Sequence, residues 1–90
     1  MVKHFNIKIQ GKVQGVWYRA SAQAEAQQLG LTGFAKNMPD GSVYCEAEGT
    51  EAVLQEFVEW CRRGPELAKV ETVEVVEGTV QGFADFGIRR

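Results

Sequence analysis

Two periodicities alternate along this 90-residue chain, and their order constrains its fold more than any other feature. Over residues 5–13, the apolar Phe5, Ile7, Ile9 and Val13 interleave with Asn6, Lys8, Gln10 and Lys12. A period of two sends alternate side chains to opposite faces of a strand, so this segment predicts a half-buried strand. Residues 20–29 are rich in Ala, Gln and Glu, which favour helix, and Ala22, Ala26 and Leu29 share one helical face. Gly30 supplies the stop, since glycine accepts the left-handed backbone that ends many helices. Residues 31–38 are extended again, Pro39-Asp40-Gly41 makes a tight turn, and residues 42–48 alternate with Val43, Cys45 and Ala47 on one side. This pattern predicts a hairpin.

The second half repeats the scheme. Thr50 offers an N-cap oxygen and Glu51 suits the positive end of a helix dipole. Val53, Leu54, Phe57, Val58 and Cys61 then form an apolar stripe at helical spacing, with Trp60 beside it as partial core, and Gly64-Pro65 ends the helix. Residues 70–77 are β-branched and partly alternating, and a short extended piece, 83–88, follows Gly78 and Gly82. The order βαββαβ plus a short extra strand predicts an α+β, split β-α-β sandwich: an antiparallel sheet with two helices on one face and its other face open to solvent. At this length a single domain, residues 1–90, is expected.

Composition narrows the functions. With 44% hydrophobic and 24% charged residues the chain is an ordinary soluble globule. Ten Lys plus Arg against twelve Asp plus Glu leave a net charge of −2, without the basic stripe that nucleic-acid binding calls for. The solvent-facing positions of the first strand also lack the aromatic residues on which RNA bases stack. No apolar run approaches the roughly 20 residues of a membrane span, and Met1-Val2-Lys3-His4 does not open a signal peptide. A cytoplasmic monomer that binds neither nucleic acid nor membrane is the expectation.

Cys45 and Cys61 form no CxxC motif, and the single histidine, His4, has no partner at ligand spacing. A structural zinc site is therefore not expected, and His4 reads as a surface residue of the first strand. Strand alternation and the helical stripe place both cysteines at the helix-covered face, as a buried thiol pair or, under oxidising conditions, a disulfide.

The segment Gly11-Lys12-Val13-Gln14-Gly15-Val16-Trp17-Tyr18-Arg19 lies where the first strand gives way to the first helix. Free backbone N–H groups and the positive end of a helix dipole converge there, and such a place attracts anions. Gly15 can adopt a backbone that turns successive N–H groups inward, and Arg19 adds a planar fork suited to phosphate oxygens. The alternative is that Gly11 and Gly15 merely serve a turn and Arg19 a surface ion pair.

The same segment resembles the acylphosphatase signature: Gly, any residue, Val, Gln, Gly, Val, any residue, Phe or Tyr, and Arg. Every fixed position matches. Gly33-Phe34-Ala35-Lys36-Asn37, followed by Asp40-Gly41-Ser42-Val43, resembles the second family motif, and Phe86-Gly87-Ile88-Arg89 resembles the family ending. The resemblance covers nearly the whole chain and implies the ferredoxin-like fold, which has the element order read above. It also implies hydrolysis of the carboxyl-phosphate anhydride of a small-molecule acyl phosphate, with no metal and no cofactor. On this resemblance Arg19 and Asn37 are catalytic. Arg19 would bind the phosphoryl oxygens with the loop amides, Gln14, Gly15, Val16, Trp17, Tyr18 and Arg19 forming the substrate-binding segment. Asn37 would hold the attacking water. Trp17 and Tyr18 either line the acyl side of the pocket or simply pack.

The residues fit that chemistry independently. Neither cysteine has an Arg six positions on, one histidine cannot build a two-metal site, and no GxxxxGK[ST] loop is present. A site with positioning and charge but no evident general acid needs a leaving group that departs unprotonated. A carboxylate, with pKa about 4, meets that need and an alkoxide does not. The alternative class is a noncatalytic anion-binding module on the same fold, which would have no use for the Asn37 amide.

Overall fold

Phe5, Ile7 and Ile9 point to one side of the first strand, β1 (Lys3–Lys12), and each is at most 5% exposed. A computed structural model describes all of the chain, Met1–Arg90. The elements after β1 are α1 (Tyr18–Gln28), β2 (Thr32–Asn37), β3 (Val43–Gly49), α2 (Glu51–Arg63), β4 (Lys69–Gly78) and β5 (Phe86–Arg89). They build one five-stranded sheet in the order β4-β1-β3-β2-β5. Three pairings are antiparallel, and β5 lies parallel to β2, which makes the sheet mixed at that edge.

Both helices cover the same face, as the periodicities predict. Ala22 and Ala26 of α1, with Leu54, Phe57, Val58 and Cys61 of α2, close over Ile7, Ile9, Val43, Cys45 and Phe86 in a single apolar core. The small alanines let α1 lie close to the sheet, and the larger residues of α2 fill the other half. Trp60 is half-buried, stacked on Phe57. Thr50 stands at the N-cap of α2, but its hydroxyl makes no capping bond. The helix instead starts on the Thr50 carbonyl, which accepts from the Leu54 N–H at 2.9 Å. Gly33 has no substitute: a Cβ there would lie 1.8 Å from the Glu46 carbonyl oxygen, so β2 and β3 can meet in this register only with a bare α-carbon.

The opposite face departs from the sequence reading. It is not simply open, because the segment between β4 and β5 folds back over part of it. Glu48 accepts the backbone N–H groups of Gln81, Gly82 and Phe83, and the Phe83 ring stacks on His4 at 5.9 Å. His4 is accordingly no surface residue: it is 2% exposed. Its side chain lies on the sheet face away from Phe5, Ile7 and Ile9, and local periodicity carries no information about a distant segment crossing that face.

His4 Nδ1 lies 2.6 Å from Glu48, and Nε2 lies 3.0 Å from both Asn6 Oδ1 and Glu46. Acceptors at both nitrogens suit the doubly protonated ring. Burial works against that charge, but the bonds to Glu48 and Asn6 and the charges of Glu46 and Glu48 prevail and hold the pKa above its ordinary 6.5. Burial likewise opposes the Glu48 charge, but the three backbone N–H groups and His4 hold its pKa below the ordinary 4.5. The His4 contribution to stability is thus full below its unfolded pKa and is lost as pH rises through the folded value. That of Glu48 is full above its unfolded pKa and is lost as pH falls through the folded value. Urea midpoints measured from pH 6 to 9 should therefore fall with rising pH in the wild type and fall less in His4→Gln; parallel profiles would contradict this account.

Candidate active site

β1 and β2 both run antiparallel to β3, and β5 runs parallel to β2, so the carboxyl ends of β1, β2 and β5 emerge at one end of the sheet. The N-terminus of α1 opens at that end. Ser21 is the first helical residue whose N–H reaches a backbone carbonyl, that of Trp17 at 3.0 Å. The N–H groups before it are the unpaired donors of a helix start. Gly15 has φ 73° and Trp17 φ 66°, so left-handed residues stand on either side of Val16 in the loop entering the helix. At a non-glycine residue this conformation costs about 1–2 kcal/mol. Trp17 is also 76% exposed, and strain of this kind gathers at functional sites.

A cavity of about 350 Å³ lies here, lined by Val13, Gly15, Trp17, Tyr18, Arg19, Ala20, Asn37 and Ile88. Arg19, in the first turn of α1, and Asn37, at the end of β2, thus share one pocket. Arg19 is half-buried, and its Nη1 donates to the Arg89 carbonyl at 3.1 Å. Asn37 is the last residue of β2, just before the turn to β3. That turn is closed by the Met38 N–H on the Ser42 carbonyl at 2.8 Å. Asp40 accepts from the Ser42 hydroxyl and N–H and pairs with Lys8 at 3.0 Å, bonds that hold its carboxyl well below the usual carboxylate range.

The other residues of the expected binding segment divide by what their side chains do. The Gln14 amide donates to the Met38 carbonyl at 2.8 Å and the Ser42 carbonyl at 2.9 Å, tying the loop to the turn after Asn37. It does not line the cavity. Val16 is buried in the core. Tyr18 sends its hydroxyl inward to the Cys61 carbonyl at 2.8 Å, and burial pushes that phenol far above its ordinary pKa. Gln14 and Val16, placed in the binding segment by the resemblance, are thus not among the residues lining the cavity. Val13, Ala20 and Ile88 are lining residues that the sequence reading did not assign. Ile88 reaches the site only because β5 sets it opposite Ala35 of β2, a register that no local pattern encodes.

Cys45 and Cys61 are both buried free thiols. Burial pushes the Cys61 pKa up to about 12 and that of Cys45 well above the ordinary value, so neither supplies a thiolate near neutral pH.

The protein-family model for acylphosphatase matches residues 5–88. An acylphosphatase of Methylococcus capsulatus is 47% identical over 90 residues, covering 99% of this chain and 98% of that one. One of Thermus thermophilus is 48% identical over 80 residues, covering 89% of this chain and 91% of its own. The crystal structure of acylphosphatase from Bacillus subtilis superposes with a TM-score of 0.95 at 38% identity, covering 100% of both chains. Matched by sequence and by fold along nearly its whole length, the chain belongs to the acylphosphatase family and hydrolyses the carboxyl-phosphate anhydride bond of acyl phosphates.

Proposed function

We propose that hydrolysis proceeds by in-line attack of a water held by Asn37 on a phosphoryl group bound by Arg19 and the loop amides, without a metal ion. The observation that carries this reading is the meeting of Arg19, Asn37 and the unpaired start of α1 around one pocket. The guanidinium fork and the unpaired N–H groups at the start of α1 suit the equatorial oxygens of a phosphoryl group, where charge gathers in a loose transition state. The pocket lining has no carboxylate, imidazole or thiolate, and no cluster of three His, Cys, Asp or Glu that could hold a metal occurs in the chain. The leaving carboxylate needs no proton, so the reaction asks mainly for placement and charge stabilisation. With no base in the lining, the water's proton passes in this reading to the phosphoryl oxygens.

The apolar part of the lining, Val13, Trp17, Ala20 and Ile88, suits the acyl portion of the substrate. A single small domain acting as a monomer on a diffusible acyl phosphate, in the cytoplasm and with no nucleic-acid or membrane partner, completes the proposal.

Phosphate release from an aryl acyl phosphate, with a chelator present, tests it. Arg19→Ala and Asn37→Ala should each lower turnover by about 10²–10³-fold while remaining folded, as loss of a single oxyanion donor does. A folded Arg19→Ala enzyme with wild-type turnover, or wild-type turnover abolished by chelation, would overturn the assignment. Trp17→Gly tests the acyl wall. Its unfolding free energy should stay within about 1 kcal/mol of wild type, because relieved left-handed strain and added freedom of the unfolded chain oppose each other. Its KM for the aryl substrate should rise about 5–10-fold, since removing the indole takes apolar contact from the mouth of the pocket.

A further inference from the structure

On the sheet face away from the helices, the guanidinium carbon of Arg89 lies 3.8 Å over the centroid of Phe34 and 5.9 Å from that of Phe83. The two rings meet edge to face at 5.7 Å and form a corner that receives a flat cation by cation–π attraction. Both walls are fixed. Phe34 is buried, and Phe83 is held by its ring on His4 and by its own N–H on Glu48. The main chain of Arg89 serves the pocket instead, since its carbonyl is the one that accepts from Arg19 Nη1. Across the parallel ladder Arg89 pairs with Lys36, the neighbour of Asn37.

The start of β5 is secured independently, by Gln23 Nε2 donating to the Phe86 carbonyl at 3.1 Å. Its other end belongs to a four-residue edge strand, an element of the sort that frays unless tied down. Arginine also carries about 2 kcal/mol of rotamer entropy, so an acceptor at a fixed place selects one orientation of its fork in advance.

We propose that Arg89 is a positioning residue for the hydrolysis. Its side chain, clamped by Phe34 and Phe83, pins the end of β5 so that its carbonyl holds the Arg19 guanidinium toward the phosphoryl group. The proposal rests on the assignment of Arg19 to that group.

The test compares wild type, Arg19→Ala, Arg89→Ala and Phe83→Leu for kcat/KM on an aryl acyl phosphate and for competitive inhibition by inorganic phosphate. Each is measured at about 0.1 M and 1 M salt, because a long-range charge effect is screened at the higher concentration. Arg89→Ala alters an exposed side chain, so folding is retained, and a circular dichroism spectrum checks this. The expected result is a fall in kcat/KM of about tenfold, with a parallel rise in the phosphate inhibition constant, at both salt concentrations. Phe83→Leu keeps both arginines and should show the same change. Wild-type phosphate binding in Arg89→Ala, or a loss that disappears at high salt, would overturn the proposal. Equal turnover by wild type and Arg19→Ala would instead show that the assignment of Arg19 itself is wrong, whatever Arg89 does.

Discussion

The amide of Gln14 joins the two halves of the active end. Its two hydrogen bonds, to the carbonyls of Met38 and Ser42, span the gap between the loop after β1 and the turn after β2. Those segments are separated in the sheet by β3 and share no ladder. Without this bridge, the loop before α1 and the turn after Asn37 would be related only through the ladders that β1 and β2 each make with β3. A primary amide is well suited to bridging of this kind, because one nitrogen carries two donors at a fixed angle.

From that bridge outward the site is assembled from backbone more than from reactive side chains. The left-handed residues Gly15 and Trp17 aim the loop, the start of α1 supplies donors and carries Arg19, and the ends of β2 and β5 bring Asn37 and Arg89 to the same end of the sheet. The titratable groups nearby are otherwise occupied: the Tyr18 phenol is turned into the core and the Asp40 carboxylate is committed to its own turn. Such a site stabilises charge that is already present on its substrate and generates little of its own. This suits an anhydride, whose leaving group departs as a stable anion.

Much of this was legible in the sequence, for physical reasons that also explain where legibility ended. The alternation of Phe5, Ile7 and Ile9 and the helical stripe through Leu54, Phe57 and Cys61 are local records of which face is buried, and the core follows them. Gly15 and Arg19 are legible because an anion cradle between a strand and a helix calls for those residue types, and Asn37 is legible through the resemblance of Gly33–Asn37 to the second family motif. What depends on the path of the chain was not legible. The burial of His4, the parallel pairing of β5 and the arrival of Ile88 at the pocket all follow from how residues 79–85 cross the outer face. That crossing is fixed by Glu48, whose three backbone partners lie more than thirty positions away. Gln14 was singled out, but its partners are carbonyls of a distant turn, and a carbonyl leaves no mark in a sequence.

The two cysteines lie on opposite layers of the core, Cys45 on the central strand β3 and Cys61 on α2, and neither has measurable exposure. With their thiols held protonated by burial, they are silent toward alkylating reagents while the layers stay together. Any reaction must wait for the helix and sheet to part. The chain thus carries an internal clock for its own opening: the rate at which an alkylating reagent labels either thiol in native buffer reports the separation of α2 from the sheet, with no residue substituted.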